Sequence, residues 1–125
     1  MTEGERLFAV RGAVRAARND AAAILDATEE LMGELMRRNE LTSDALVSCI
    51  FTCTPGLDAE FPAVAARRLG LDTVPLICAQ EIAVPGSMDR VVRVLIHYHA
   101  PAGHRPAHAY IGEAQALRSN LHAAQ

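Results

Sequence analysis

Val91-Val92-Arg93-Val94-Leu95-Ile96-His97-Tyr98-His99 is the longest strand candidate in the chain. β-Branched and aromatic residues suit a pleated, half-buried surface, and neither Gly nor Pro interrupts the run. Just upstream, Pro85-Gly86-Ser87 is a turn and Val74 to Cys78 a short apolar strand. Leu46 to Cys53 is apolar on both alternating faces, as a central buried strand is, and Thr54-Pro55-Gly56 breaks it. Leu7 to Val14 reads as the first strand. Between these lie two helical stretches. Asn19 or Asp20 can cap a helix to about Arg38, with an apolar stripe of Ile24, Leu25, Leu31, Met32, Leu35 and Met36. Pro62 suits the first turn of a short helix ending near Gly70. Downstream, Pro101 to Pro106 is a loop and Ala107 to Gly112 a last strand. From Glu113 the chain reads as a weakly ordered tail with a short helical turn, loosest over 119–125. The order predicts an α+β (mixed α/β) fold with a mixed sheet, in one domain over 1–125.

Composition narrows the function. Half of the 125 residues are apolar, enough for one core, but only 4% are aromatic. The net charge of −3 argues against a nucleic-acid binder with a basic face. No apolar run could span a bilayer, and the N-terminal stretch is polar, so the expected location is cytoplasmic. All twelve basic residues are Arg, which excludes a P-loop lysine and Schiff-base chemistry. Cys49, Cys53 and Cys78 are odd in number and do not suggest a disulfide framework. His97 and His99 share a strand face, but no carboxylate or Cys follows at useful spacing for a metal. There is no nucleophile elbow and no Gly-rich phosphate loop. The chemistry is expected to run without a metal, cofactor or covalent intermediate.

Three charges interrupt apolar strands: Arg11 in the first, Glu81 after Cys78, and Arg93 in the longest. Buried charge is costly unless it is paired or faces a polar cavity. An Arg–Glu ion pair or side chains at a sheet edge would account for them. So would a pocket for a small anion, since Arg forms paired hydrogen bonds to carboxylates and stays charged when desolvated. Gly12, next to Arg11, would let backbone or ligand approach closely.

Several segments resemble one known family in order and spacing, from about Leu7 to Leu121. They are Val10-Arg11-Gly12-Ala13, Phe61-Pro62-Ala63 with Arg67, Cys78-Ala79-Gln80-Glu81, Val92-Arg93-Val94, Ala109-Tyr110-Ile111 and Leu117-Arg118. The chain is similar to the AroH-type chorismate mutases. The resemblance implies a homotrimer with a barrel-like core of packed sheets, helices outside, and active sites between subunits. It implies rearrangement of chorismate to prephenate, on the route to phenylalanine and tyrosine, with no cofactor. Arg11 and Tyr110 resemble contacts to a substrate carboxylate, and Arg93 the cation meeting a carboxylate and the ether oxygen. Glu81 with Cys78 resembles the pair contacting the ring hydroxyl, and Ile77 belongs with the substrate contacts. Phe61, Ala63 and Arg67 resemble the wall given by the adjacent subunit, and Leu117 and Arg118 the segment ordering over the mouth. Val64 departs from relatives that carry Lys there.

Two alternatives stay open. A Rid-type imine deaminase also places an Arg in an intersubunit cleft, though it does not explain Glu81 together with Arg11. A non-catalytic trimer binding a small dicarboxylate would share the Arg clamp.

Overall fold

The computed structural model describes residues 4–120. The elements are β1 (Glu5–Arg15), α1 (Ala21–Arg38), a 3-10 turn (Ser43–Ala45), β2 (Leu46–Cys53), α2 (Ala63–Arg68), β3 (Leu76–Gln80), β4 (Val91–Pro101), β5 (Ala109–Ile111) and a 3-10 helix (Gly112–Asn120). The five strands form one mixed sheet in the order β3-β2-β4-β1-β5. β4 is central and antiparallel to β1 and β2, while β3 and β5 run parallel to β2 and β1 at the edges. The expected mixed α+β architecture is the one observed.

Most boundaries follow the sequence, with four differences. β1 and β4 are each longer than their apolar runs, because they pair with one another from Glu5↔Pro101 to Arg15↔Val91. β3 is shifted to Leu76–Gln80, where pairing with β2 begins at Cys49↔Leu76, so Glu81 lies just beyond it. β5 contracts to the three residues that pair with β1. The segment after it is a 3-10 helix rather than a loose tail. Of the expected tail over 119–125, residues 121–125 lie outside the described residues.

α1 begins where Asp20 accepts a hydrogen bond from the Ala23 amide at 2.7 Å. Its buried stripe of Ile24, Leu31, Met32 and Leu35 packs with Val10, Val14, Phe51, Val94, Ile96 and Tyr98 from one sheet face. Full burial of such side chains contributes roughly 1.5–3 kcal/mol each. Gly12 lies on this face. A Cβ there would stand 2.5 Å from the Ala109 carbonyl oxygen and 2.8 Å from a Leu31 methyl carbon. The close approach expected at Gly12 is seen to backbone and helix.

At its far end, α1 is braced to β5. The buried Asn39 amide donates to the carbonyls of Leu35 and Ala107 and accepts from the Ala107 amide at 2.7 Å. Arg38 donates to the His108 carbonyl at 2.9 Å. The short edge strand carrying Tyr110 is thus held through its lead-in as well as its ladder.

Candidate active site

Among the described residues no α-helix packs on the opposite sheet face, and strand alternation brings the expected charges onto it. One row across all five strands reads Ala79, Thr52, Arg93, Ala13, Tyr110. The next row places Ile77, Ile50, Leu95 and Arg11 side by side. Arg93 lies between Thr52 and Ala13. The C-terminal 3-10 helix covers one end of this face, where Ala114 and Leu117 bury Ala13, Val91 and Tyr110. Arg15 fixes its first turn by pairing with Glu113 at 2.7 Å and also with Asp89.

A cleft of about 1180 Å³ results, lined by Arg11, Glu81, Arg93, Tyr110 and Leu117 among the residues expected from sequence. Ile50, Thr52, Ile82, Val84, Met88 and Ala116 also line it. Strand alternation could have revealed Ile50 and Thr52. Ile82 and Val84 had no signal beyond the loop they occupy. A second hollow of about 390 Å³ lies between α1 and the 3-10 helix. Its Arg37 and Arg38 are already engaged by Glu34.

Glu81 follows the end of β3 and keeps one strand-like bond, its amide donating to the Cys53 carbonyl at 2.9 Å. Its carboxylate oxygen Oε2 lies 3.0 Å from Arg93 Nε and accepts from the Thr52 hydroxyl at 2.6 Å. Both charged side chains are mostly buried, Arg93 29% and Glu81 18% exposed. Two Arg against one Glu leave the cleft with an excess positive charge.

The Arg11 amide donates to His108 Nδ1 at 3.2 Å, which assigns the remaining proton of neutral His108 to Nε2. Burial, and then the Arg11 charge, hold His108 below the ordinary imidazole range. At neutral pH the Arg11 side of the cleft therefore gains no further cation from His108.

The other expected site residues lie elsewhere. Cys78 is on β3 opposite Phe51, and its side chain packs against the main core. The structure does not bring this thiol into the cleft with Glu81; backbone on the outer edge of β3 is what Cys78 can offer there. Ile77 is exposed on the open face beside Ile50. Phe61, 67% exposed, Ala63 and Arg67 lie at and within α2, outside the cleft of their own chain. Arg118 is exposed, one residue past Leu117.

Among the described residues, no group of three or more His, Cys, Asp or Glu is placed to hold a metal ion. His97 meets the Ser48 hydroxyl at 3.2 Å. Burial pushes the Cys49 thiol up to about 12 and Cys53 up to about 11, so neither provides a thiolate at neutral pH. Among the described residues, no helix is long and apolar enough to cross a membrane.

A mostly apolar cleft with excess positive charge and one oriented carboxylate, and with no activated nucleophile among the described residues, suits a small dianion that reacts without covalent help. The comparisons with known proteins supply the family. Residues 7–121 match the family described as chorismate mutase type I. The chain is 41% identical to chorismate mutase AroH of Thermus thermophilus, across 93% of this chain and 97% of that one. It is 31% identical to chorismate mutase AroH of Bacillus subtilis (strain 168), across 90% of each. The solved structure of a chorismate mutase from Clostridium thermocellum superposes with a TM-score of 0.81 at 37% identity, covering 88% of this chain and 99% of that one. The chain belongs to the type I chorismate mutase family.

Proposed function

We propose that this protein rearranges chorismate to prephenate in the cleft around Arg93, as a homotrimer without a cofactor. The observation that carries the reading is the Arg93–Glu81 pair in a mostly apolar cleft that Arg11 also lines. The rearrangement is intramolecular: an ether C–O bond breaks as a C–C bond forms, with no net proton transfer. Negative charge develops on the ether oxygen and positive charge on the ring. A group accelerates such a step only if it holds these charges better than it holds the ground state.

Arg93 presents Nε to Glu81, and its two terminal nitrogens carry the donors that a carboxylate and the ether oxygen need. Arg11 and Tyr110 hold the second carboxylate and keep the side chain folded over the ring, an orientation effect. Glu81 accepts from the ring hydroxyl and lies near the developing ring cation. Ile77 and backbone at Cys78 line the approach. Leu117 closes the mouth, with Arg118 beside it.

A neighbouring subunit would supply Phe61, Ala63 and Arg67. Two surfaces support assembly: the uncovered sheet face and the exposed ring of Phe61. A cytoplasmic location is part of the proposal and rests on three free thiols. The lone-Arg imine deaminase and the passive dicarboxylate binder gain nothing from the paired Glu81.

The test is loss of chorismate absorbance with purified protein in EDTA, alongside light scattering. Turnover by a species of trimer mass is expected. No turnover, or full turnover by a monomer, would overturn the reading.

A further inference from the structure

We infer that Thr52 is a positioning residue for the rearrangement, holding one oxygen of Glu81 so that the other faces the ring hydroxyl of the substrate. The inference rests on the role of Glu81 given above. Thr52 Oγ1 donates to Glu81 Oε2 at 2.6 Å, and Arg93 Nε meets that same oxygen at 3.0 Å. Both contacts converge on Oε2, which leaves Oε1 as the atom to accept from the ring hydroxyl.

Arg93 cannot set this orientation alone. Its guanidinium stands on a long rotatable stem, and any shift there would drag a carboxylate held only by that cation. Thr52 makes its contact from a fixed place. It sits on β2, hydrogen-bonded between β3 and β4, directly opposite Arg93 on one side and Ala79 on the other. Its β-branched side chain has few χ1 choices, so the strand backbone determines where the hydroxyl points. A short O–H···O⁻ bond is charge-assisted and among the stronger contacts a neutral side chain can make. Thr52 therefore keeps Glu81 aimed from the strand backbone, independently of the long Arg93 side chain.

The test uses the whole protein with chorismate as substrate and four variants: Thr52→Val, Thr52→Ser, Glu81→Gln, and Thr52→Val combined with Glu81→Gln. Turnover, KM and thermal midpoint are measured for each. Thr52→Val keeps the shape and β-branching and removes only the hydroxyl. It should lower kcat/KM about ten- to a hundredfold, the range supported by a hydrogen bond to a charged group. Most of the loss should fall in kcat, with the midpoint nearly unchanged. Thr52→Ser should recover to within a few-fold of the parent. In the Glu81→Gln background, Thr52→Val should add little, because contacting residues that act as a unit are non-additive.

If Thr52→Val matches the parent while Glu81→Gln is crippled, the inference fails and the role of Glu81 stands. If Glu81→Gln itself turns over like the parent, the role of Glu81 fails first and the inference goes with it. An equal loss from Thr52→Val in both backgrounds would show that Thr52 acts on something other than Glu81, and would overturn the inference. Should Thr52→Val not fold, Thr52→Ala takes its place: the same losses are expected, and the same results would overturn the inference.

Discussion

Replacing Arg93 by Ala or Lys separates transition-state stabilisation from simple ion pairing. Arg93 Nε already approaches a carboxylate oxygen to 3.0 Å, and a similar approach to the ether oxygen is sterically ordinary. At that spacing a full unit charge interacts by about 5 kcal/mol at an effective dielectric constant near 20. The ether oxygen develops only part of a charge; taking half leaves about 2–3 kcal/mol, or roughly a hundredfold in rate. Loss of one preorganised donor in other enzymes costs about 2.7–4 kcal/mol, so a drop in kcat of about a hundred- to a thousandfold is expected for Arg93→Ala. Arg93→Lys should fail nearly as badly, because an ammonium cannot serve Glu81 and the substrate with one planar fork. The fold should survive both changes. The pair is neither fully exposed nor fully buried, and Glu81 keeps the Thr52 hydroxyl, so the stability loss should be about 1–2 kcal/mol. Stopped chorismate assays give kcat and KM, and calorimetry gives the midpoint. A kcat within about tenfold of the parent, with a midpoint lowered by well over ten degrees, would make Arg93 a structural ion-pair member and refute the argument.

Gly12→Ala should destabilise the fold by about 2–3 kcal/mol, since the added methyl meets the Ala109 carbonyl and Leu31 inside van der Waals contact; urea midpoints would show it. Ending the chain before Arg118 should raise KM more than it lowers kcat, because the 3-10 helix covers one end of the sheet face and meets the cleft through apolar Ala116 and Leu117. An unchanged KM with collapsed kcat would count against that reading. Stability should decline in acid. Hydrogen bonds from Arg18, Arg37 and Arg15 hold Asp20, Glu34 and Asp89 below their ordinary values of 3.8, 4.5 and 3.8. Lowered carboxyls stabilise fully above those values and lose the contribution as pH falls through the folded ones, so the midpoint should drop below about pH 4.5.

The fold was legible wherever local pattern decides it. The apolar stripe of α1, its Asp20 cap and the unbroken run from Val91 depend on neighbours in sequence, and the structure follows them. Arg11, Glu81 and Arg93 stood out because charge in an apolar strand demands a partner or a cavity, and they share one cleft. Thr52 was missed because its importance is a matter of register. The pairing Thr52↔Arg93 makes an ordinary strand threonine the neighbour of a partly buried ion pair. Register likewise turned the Cys78 thiol toward the core, through Phe51↔Cys78. The direction of Gly12 follows from the period of two that sends it to the face opposite Arg11.

The strand order has a consequence for motion. Arg93 rides on β4, bonded on both sides and the hardest strand to open, whereas Glu81 is beyond the end of an edge strand and Leu117 is in a 3-10 helix. Local opening is cheapest where few backbone bonds and little apolar burial hold a segment. Amide hydrogens of β4 should exchange only with global unfolding, and those from Ile82 to Ser87 within seconds. Bound ligand should slow both groups, the first through the added global stability and the second also by holding the loop closed. The cation thus stands on the part of the molecule that breathes least, while the groups closing around it belong to parts free to admit the substrate.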